Sequence, residues 1–596
     1  MNTLHKTWDL ETIFEGGSES EQLHNYVLKT EQEISKLESL VHSFTSPKNT
    51  DQTKELSEVV DQIQLVTKRL GEIGAFISCL NAQNVNDKKA GAWQSRKNEL
   101  SAAFGNLLTE FDQRLVQTDE DVWKSLLKHT PFRQLDFILD ERRKAAKDKL
   151  ELRQESLIND LGIDGYHAWG QMYDAIVGKL DITHEGKTLS VGQASNLLDS
   201  PDRAVRKEVF DKLQNTWKAQ TDLFSETLNH LSGFRLQTYK YRGWERVLKE
   251  PLEYNRMSEK TLNTMWETIT KYKKHYLPYL KRKAHMLGLE RLSFYDVEAP
   301  VGSTEQTMSF QQGAEFITQQ FRSFSPKMAD FAEMAFERRW IEAEDRSGKR
   351  PGGFCTSFPD SGQTRIFMTY SGTPSNVATL AHELGHAYHQ HVMDDLPALN
   401  QGYAMNVAET ASTFAEMIVS DAAVKHAAND TEKLTLLEDK VQRSIAFFMN
   451  IHARFLFETR FYEERKKGVV SAERLNELMV EAQKEAYEDA LDEYDPTFWA
   501  SKLHFHITDV PFYNFPYTFG YLFSMGIYAK ALNSDSNFEN DYIALLQDTG
   551  RMTTEDLAAK HLGVDLEKPE FWEQALDLCM KDLNDFMELS AKQRND

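Results

Sequence analysis

Thr379-Leu380-Ala381-His382-Glu383-Leu384-Gly385-His386-Ala387-Tyr388-His389 is the most informative stretch of this 596-residue chain. His382 and His386 are four apart, so on a helix both imidazoles leave the same face about one turn apart. That spacing lets two ring nitrogens reach a single Zn²⁺. Glu383 stands next to the first histidine, where it can act on a metal-activated water without ligating the ion. Val377, Leu380, Leu384 and Ala387 make the opposite face apolar, as in a helix backed onto a core. Thr373-Pro374 offers an N-cap followed by proline at the first helical position, and Pro397 bars continuation at the far end.

A catalytic zinc needs a third protein ligand and an open position. His389 lies on the face of His382, but three ligands in line on one helix span roughly 10 Å at 1.5 Å per residue, too far to converge. His389 and His391 therefore read as residues outside the coordination shell, orienting it or facing solvent. The stronger candidate is Glu409, in Asn406-Val407-Ala408-Glu409-Thr410-Ala411-Ser412-Thr413-Phe414-Ala415-Glu416. It is predicted on a second helix, which the connection at 397–402 brings back beside the first. Ser412, Thr413 and Glu416 share its face, placed either to orient the ligand imidazoles or to face solvent. Gly402-Tyr403-Ala404-Met405-Asn406 matches the Gly-x-Met-Glu-Asn exopeptidase signature only in part. It lacks the glutamate and follows the histidines instead of preceding them.

Outside this region the pattern is mostly helical. Leu56, Val59, Val60, Ile63, Val66 and Leu70 form one amphipathic stripe, and Ile34, Leu37, Leu40 and Val41 a shorter one. Residues 431–464 read as one long helix with aromatic clusters. The exception is Gly352-Gly353-Phe354-Cys355-Thr356-Ser357-Phe358 and Thr364-Arg365-Ile366-Phe367-Met368-Thr369-Tyr370 around Pro359-Asp360-Ser361-Gly362, a predicted hairpin just ahead of the histidine helix. The clearest polar break, 181–202, divides the chain near residue 200. A helical N-terminal lobe, 1–200, would precede a metal-site domain, 201–596.

Composition narrows the class. With 69 basic and 92 acidic residues the net charge is −23, which argues against nucleic acid or an anionic membrane surface as partner. Three scattered cysteines form no disulfide framework and no metal knuckle. Met1 to Leu10 shows no basic segment leading into an apolar one, and no uncharged apolar run is long enough to span a bilayer. The expectation is a cytoplasmic monomer or weak homo-oligomer.

Near the C-terminus, His504-Phe505-His506 precedes Pro511-Phe512-Tyr513-Asn514-Phe515-Pro516-Tyr517-Thr518-Phe519-Gly520-Tyr521. Phenols and neutral imidazoles can hold a developing oxyanion without competing for the metal. Together with the Thr379–His386 stretch and the Glu409-Thr410-Ala411-Ser412-Thr413-Phe414 segment, this order resembles the zinc metallopeptidases of the oligoendopeptidase F and thimet oligopeptidase family, and the oligoendopeptidase F branch most. The resemblance covers the C-terminal two-thirds by motif and the N-terminal third by length and helical character.

It implies a mostly helical, two-lobed molecule whose deep channel admits short unstructured oligopeptides, with a small β-sheet flanking the site. It implies a zinc endopeptidase with one Zn²⁺ on His382, His386 and Glu409 and with Glu383 as general base. The hairpin would offer a strand edge to the substrate backbone. The family's histidine and tyrosine donors map onto His504, Tyr513 and Tyr517. His506 remains an alternative to His504, and Tyr521 is a further candidate. A zinc carboxypeptidase on a related helical scaffold is the competing activity, and a scaffold protein with a chance histidine pair the competing class.

Overall fold

The computed structural model describes residues 3–302, 307–533 and 538–592. It is mostly helical and two-lobed. Its first lobe is built on long helices, Glu21–Ser43, Thr53–Gln83 and Lys88–Val116. The Leu56 to Leu70 stripe is buried along its whole length, as its spacing predicts. This lobe encloses one cluster of buried side chains, from Trp8 to Leu139, which also takes in Phe358 and Phe367. A second and larger cluster runs from Tyr173 to Leu589.

The hairpin joins the two. Strands β1 (Asp181–His184) and β2 (Lys187–Ser190) form a separate antiparallel pair. Strands β3 (Ile341–Glu342), β4 (Phe354–Phe358) and β5 (Gln363–Phe367) form a sheet in the order β3-β5-β4. β4 and β5 pair antiparallel as expected, with Phe354 opposite Phe367, and β3 adds in parallel on the far side of β5. Alternation along β5 sends Phe367 into the N-terminal cluster and Ile366 into the larger one. The turn at 359–362 docks on the first lobe: Asp360 and Ser361 backbone N–H groups donate to Glu72 (2.9 and 3.3 Å), and Tyr26 donates to Asp360 (2.8 Å).

Two local expectations differ in detail. The polar stretch at 181–202 holds the β1–β2 pair, closed through Glu185 and Gly186 at positive φ (49° and 75°). The long helix at 431–464 is two helices, Asp430–Ile445 and Ile451–Arg465, joined by a π-turn at Ala446–Asn450. One extra residue per turn is invisible to a 3.6-residue periodicity.

Candidate metal centre and cleft

The motif helix spans Pro374–Met393. The Thr373 hydroxyl accepts from the Asn376 backbone N–H (3.2 Å) with proline at the first position. Val377, Leu380, Leu384 and Ala387 are buried, so the helix is clamped on that face and turns His382 and His386 the other way. Glu409 is not inside a helix. It sits at the junction between Met405–Ala408 and Thr410–His426, and its carbonyl accepts from Thr413 to start the second.

The crossing of these helices depends on Gly385. A Cβ there would lie 2.5 Å from the Ala411 carbonyl oxygen and 2.6 Å from the Ser412 Cα, both backbone atoms that cannot swing aside. Gly520, on the helix Phe515–Leu532, fits against Glu409 from the other side, where a Cβ would come within 3.1 Å of the Glu409 Cβ. Gly385→Ala is expected to destabilise the fold by about 1–3 kcal/mol through overpacking. It should also weaken metal binding, because the helices carrying the donors must separate. Thermal unfolding with and without added metal checks both effects.

The donors converge. Glu409 Oε2 lies 3.2 Å from His382 Nε2 and 3.5 Å from His386 Nε2. One ligand atom from each of the three residues falls within 4.8 Å of the others. Two imidazoles and one carboxylate, all only partly exposed, form a donor set that suits a divalent ion with open coordination positions.

Each donor is held from behind. His382 Nδ1 donates to Glu416 Oε2 (3.1 Å), and Arg443 grips the other Glu416 oxygen. Ser412 donates to Glu409 Oε2 (2.9 Å), and the His386 ring bonds the Ala408 carbonyl. Desolvation raises the Glu409 carboxyl, but His382 and His386 more than offset this and leave it ionised, at about 2. His386 is lowered to about 4 by burial, which keeps it neutral and able to ligate. Glu416→Gln is expected to weaken metal affinity about 10–100-fold, readable by competition against a chelator.

Glu383 is buried, with Oε2 free of any hydrogen bond among the described residues. Burial pushes it up to about 7, against the charge of His382. Gly353, just ahead of β4, leaves room beside it, since a Cβ there would stand 3.5 Å from Glu383 Oε1.

His504, Tyr513 and Tyr517 come together. Their ring centroids are 5.4 Å (His504–Tyr513), 6.3 Å (His504–Tyr517) and 5.8 Å (Tyr513–Tyr517) apart. Tyr517 shares the helix Phe515–Leu532 with Gly520, which packs against Glu409, and this links the cluster to the metal donors. Burial and then the cations Arg454 and Lys502 lower His504 to about 4, so its ring is neutral. His506 lies elsewhere: it is buried, stacked on Tyr173 at 4.0 Å, with Nε2 against the Trp499 carbonyl (3.3 Å). Tyr521 is also in the core, its hydroxyl paired with Ser444 (3.0 Å). His389 is fully buried, stacked on Tyr403 and bonded to Thr549 (2.9 Å), so it neither orients the donors nor faces solvent.

Residues that short-range reading missed hold the loop before Tyr513. Tyr166 and Arg235 donate to the Thr508 carbonyl (2.6 and 3.2 Å). Glu458 Oε1 accepts from the Phe512 N–H (3.1 Å), where Phe512 has a positive φ of 53°. Each anchor lies more than 50 residues from its partner, and none carries a motif.

Comparison with known proteins agrees with this architecture. The family model "Peptidase family M3" matches residues 196–578, and "Oligopeptidase F" matches 114–181. An oligoendopeptidase F homolog of Lactococcus lactis is 23% identical over 98% of this chain and 97% of its own length. Oligopeptidase PepF of Bacillus subtilis is 21% identical over 98% and 87%. Among solved structures, oligoendopeptidase-F from Enterococcus faecium superposes with a TM-score of 0.71 at 19% identity, covering 96% of this chain and 99% of that one. PZ peptidase A with an inhibitor superposes at 0.73 and 17% identity, over 93% and 97%. With nearly two-thirds of its length under one family model, the chain belongs to peptidase family M3, in its oligoendopeptidase F branch.

Proposed function

We propose that this peptidase is a zinc-dependent endopeptidase that cuts internal bonds of short, unstructured oligopeptides. The carrying observation is the convergence of His382 Nε2, His386 Nε2 and Glu409 Oε2, with the unpartnered Glu383 carboxylate on the same helix. These three donors would hold one Zn²⁺, which when bound supplies a Lewis acid that acidifies water and polarises the scissile carbonyl. Glu383 takes the proton of the attacking water at its free oxygen and returns it to the leaving amine. Tyr513 and Tyr517 donate to the oxyanion, with His504 as a neutral donor beside them. Among the described residues the outer edge of β4 has no strand partner, and it can pair with an extended substrate backbone.

Tyr517→Phe is expected to lower kcat about 10²–10³-fold with little change in metal content. Tyr521→Phe, in the core, should leave kcat near wild type and act on stability alone.

The division into lobes 1–200 and 201–596 is supported by family matches that end at 181 and resume at 196. Among the described residues no helix is long and apolar enough to cross a membrane. That and three free cysteines support a cytoplasmic setting. Digestion of internally quenched peptides of graded length, blocked at both ends, tests the activity with and without chelator. Internal cleavage lost on chelation is the expected result. Cleavage only of peptides with a free C-terminus would favour the carboxypeptidase.

A further inference from the structure

Two cations stand beside the His504–Tyr517 cluster without an acidic partner. Arg454, on the helix Ile451–Arg465, and Lys502, two residues before His504, are both partly exposed. They share one aromatic ring: the Arg454 guanidinium carbon lies 5.2 Å and Lys502 Nζ 4.8 Å from the Phe498 centroid. Arg454 Nε donates to Asn450 (2.9 Å) and Nη1 to Asn514 (3.3 Å), both neutral side chains. Neither cation forms an ion pair among the described residues.

The carboxylates within electrostatic range are poor partners. Asp495 is buried and occupied by Gln214 and Thr497, and burial raises its pKa. Glu298 is solvent-exposed. Burial lowers Arg454 to about 10, and burial followed by the Arg454 charge lowers Lys502 to about 8. Elsewhere in this lobe Lys283 pairs with Glu438 (2.6 Å) and Lys440 with Asp421 and Asp582, whereas among the described residues buried Lys273 meets only His452 and buried Arg235 only tyrosine hydroxyls and backbone carbonyls. In a chain of net charge −23, these two partly exposed cations stay side by side on one ring with no acidic side chain among the described residues paired to either. Asn514, which Arg454 holds, follows Tyr513 directly, and Lys502 lies two residues before His504, so both cations flank the His504–Tyr513–Tyr517 cluster.

We propose that Arg454 and Lys502 form an anion-binding subsite of the cleft that takes a carboxylate of the peptide substrate, on one side of the bond to be cut. This rests on the peptidase reading of the cleft. Two sources offer the same chemistry, the free C-terminus and an Asp or Glu side chain. Guanidinium–carboxylate pairing is the strong, geometrically selective form of such a contact.

Matched peptides test it in wild type, in Lys502→Met and in Lys502→Met combined with Arg454→Gln. One set compares the free acid with the amide. The other is blocked at both ends and moves a single Glu, against Gln, stepwise along the chain. In wild type the carboxylate form should have a kcat/KM roughly tenfold or more above its neutral twin, at one offset from the cut and mainly through KM. The advantage should fall with added salt. The ratio should shrink in Lys502→Met and approach one in the double variant, whatever that variant's rate on the neutral peptide. A response confined to the free acid assigns the C-terminus, and one confined to the Glu series assigns the side chain. Equal rates on charged and neutral twins in wild type, or a preference that survives in the double variant, would overturn the subsite and leave the peptidase reading standing. Failure of wild type to cut any peptide would overturn both.

Discussion

Glu383→Gln is expected to bind metal and peptide like wild type but to lose on the order of 10²–10⁴ in turnover. The substitution is nearly isosteric, and the Glu383 side chain is buried. It carries no hydrogen bond at Oε2 that a glutamine would break. What disappears is the basic oxygen. An amide cannot take the proton of the attacking water, and no other buried, unpartnered carboxylate stands on that face of the motif helix among the described residues. Single-turnover rates beside metal content separate the chemical step from binding. Near wild-type turnover would remove Glu383 from the role of base.

Glu409→Ala is expected to lose the metal, and activity with it. The residue lies at a helix junction, so its side chain is not needed for helix continuity. Removal leaves two imidazoles on one helix where three donors converged, while the Ser412 hydroxyl keeps its bond to the residue-409 carbonyl (3.2 Å). Two imidazoles without the carboxylate make a much weaker site, because the charge that balances the cation and a third of the ligand set go together. Metal per chain after dialysis is the direct readout. Stoichiometric zinc in this variant would assign the third position to another group.

Much of this site was legible before any coordinates, because it is coded locally. The 382/386 spacing, the Thr373-Pro374 cap and the apolar backing face all lie within six turns of one helix. Glu409 follows within 30 residues, and the β4–β5 hairpin directly precedes the motif. Information distributed over long sequence separations was not legible. Gly385 looks like any helical glycine until Ala411 and Ser412 are seen to cross against it. The tyrosine segment could not say which histidine joins it. The structure places His504 with Tyr513 and Tyr517 and puts His506 among Tyr173, Phe224 and Trp499. Both histidines flank the same phenylalanine, and only the packing of a distant helix separates them. Glu458 and Arg235, which hold the loop, carry no pattern because buried polar anchors are chosen by geometry, not periodicity.

The most direct measurement is anomalous diffraction at the zinc edge from crystals of the purified protein. The arrangement described here predicts one strong peak per chain, bounded by His382 Nε2, His386 Nε2 and the Glu409 carboxylate, with Glu383 beside it but not bonded to it. An absent peak, or a peak ligated by other residues with Glu409 turned away, would contradict it.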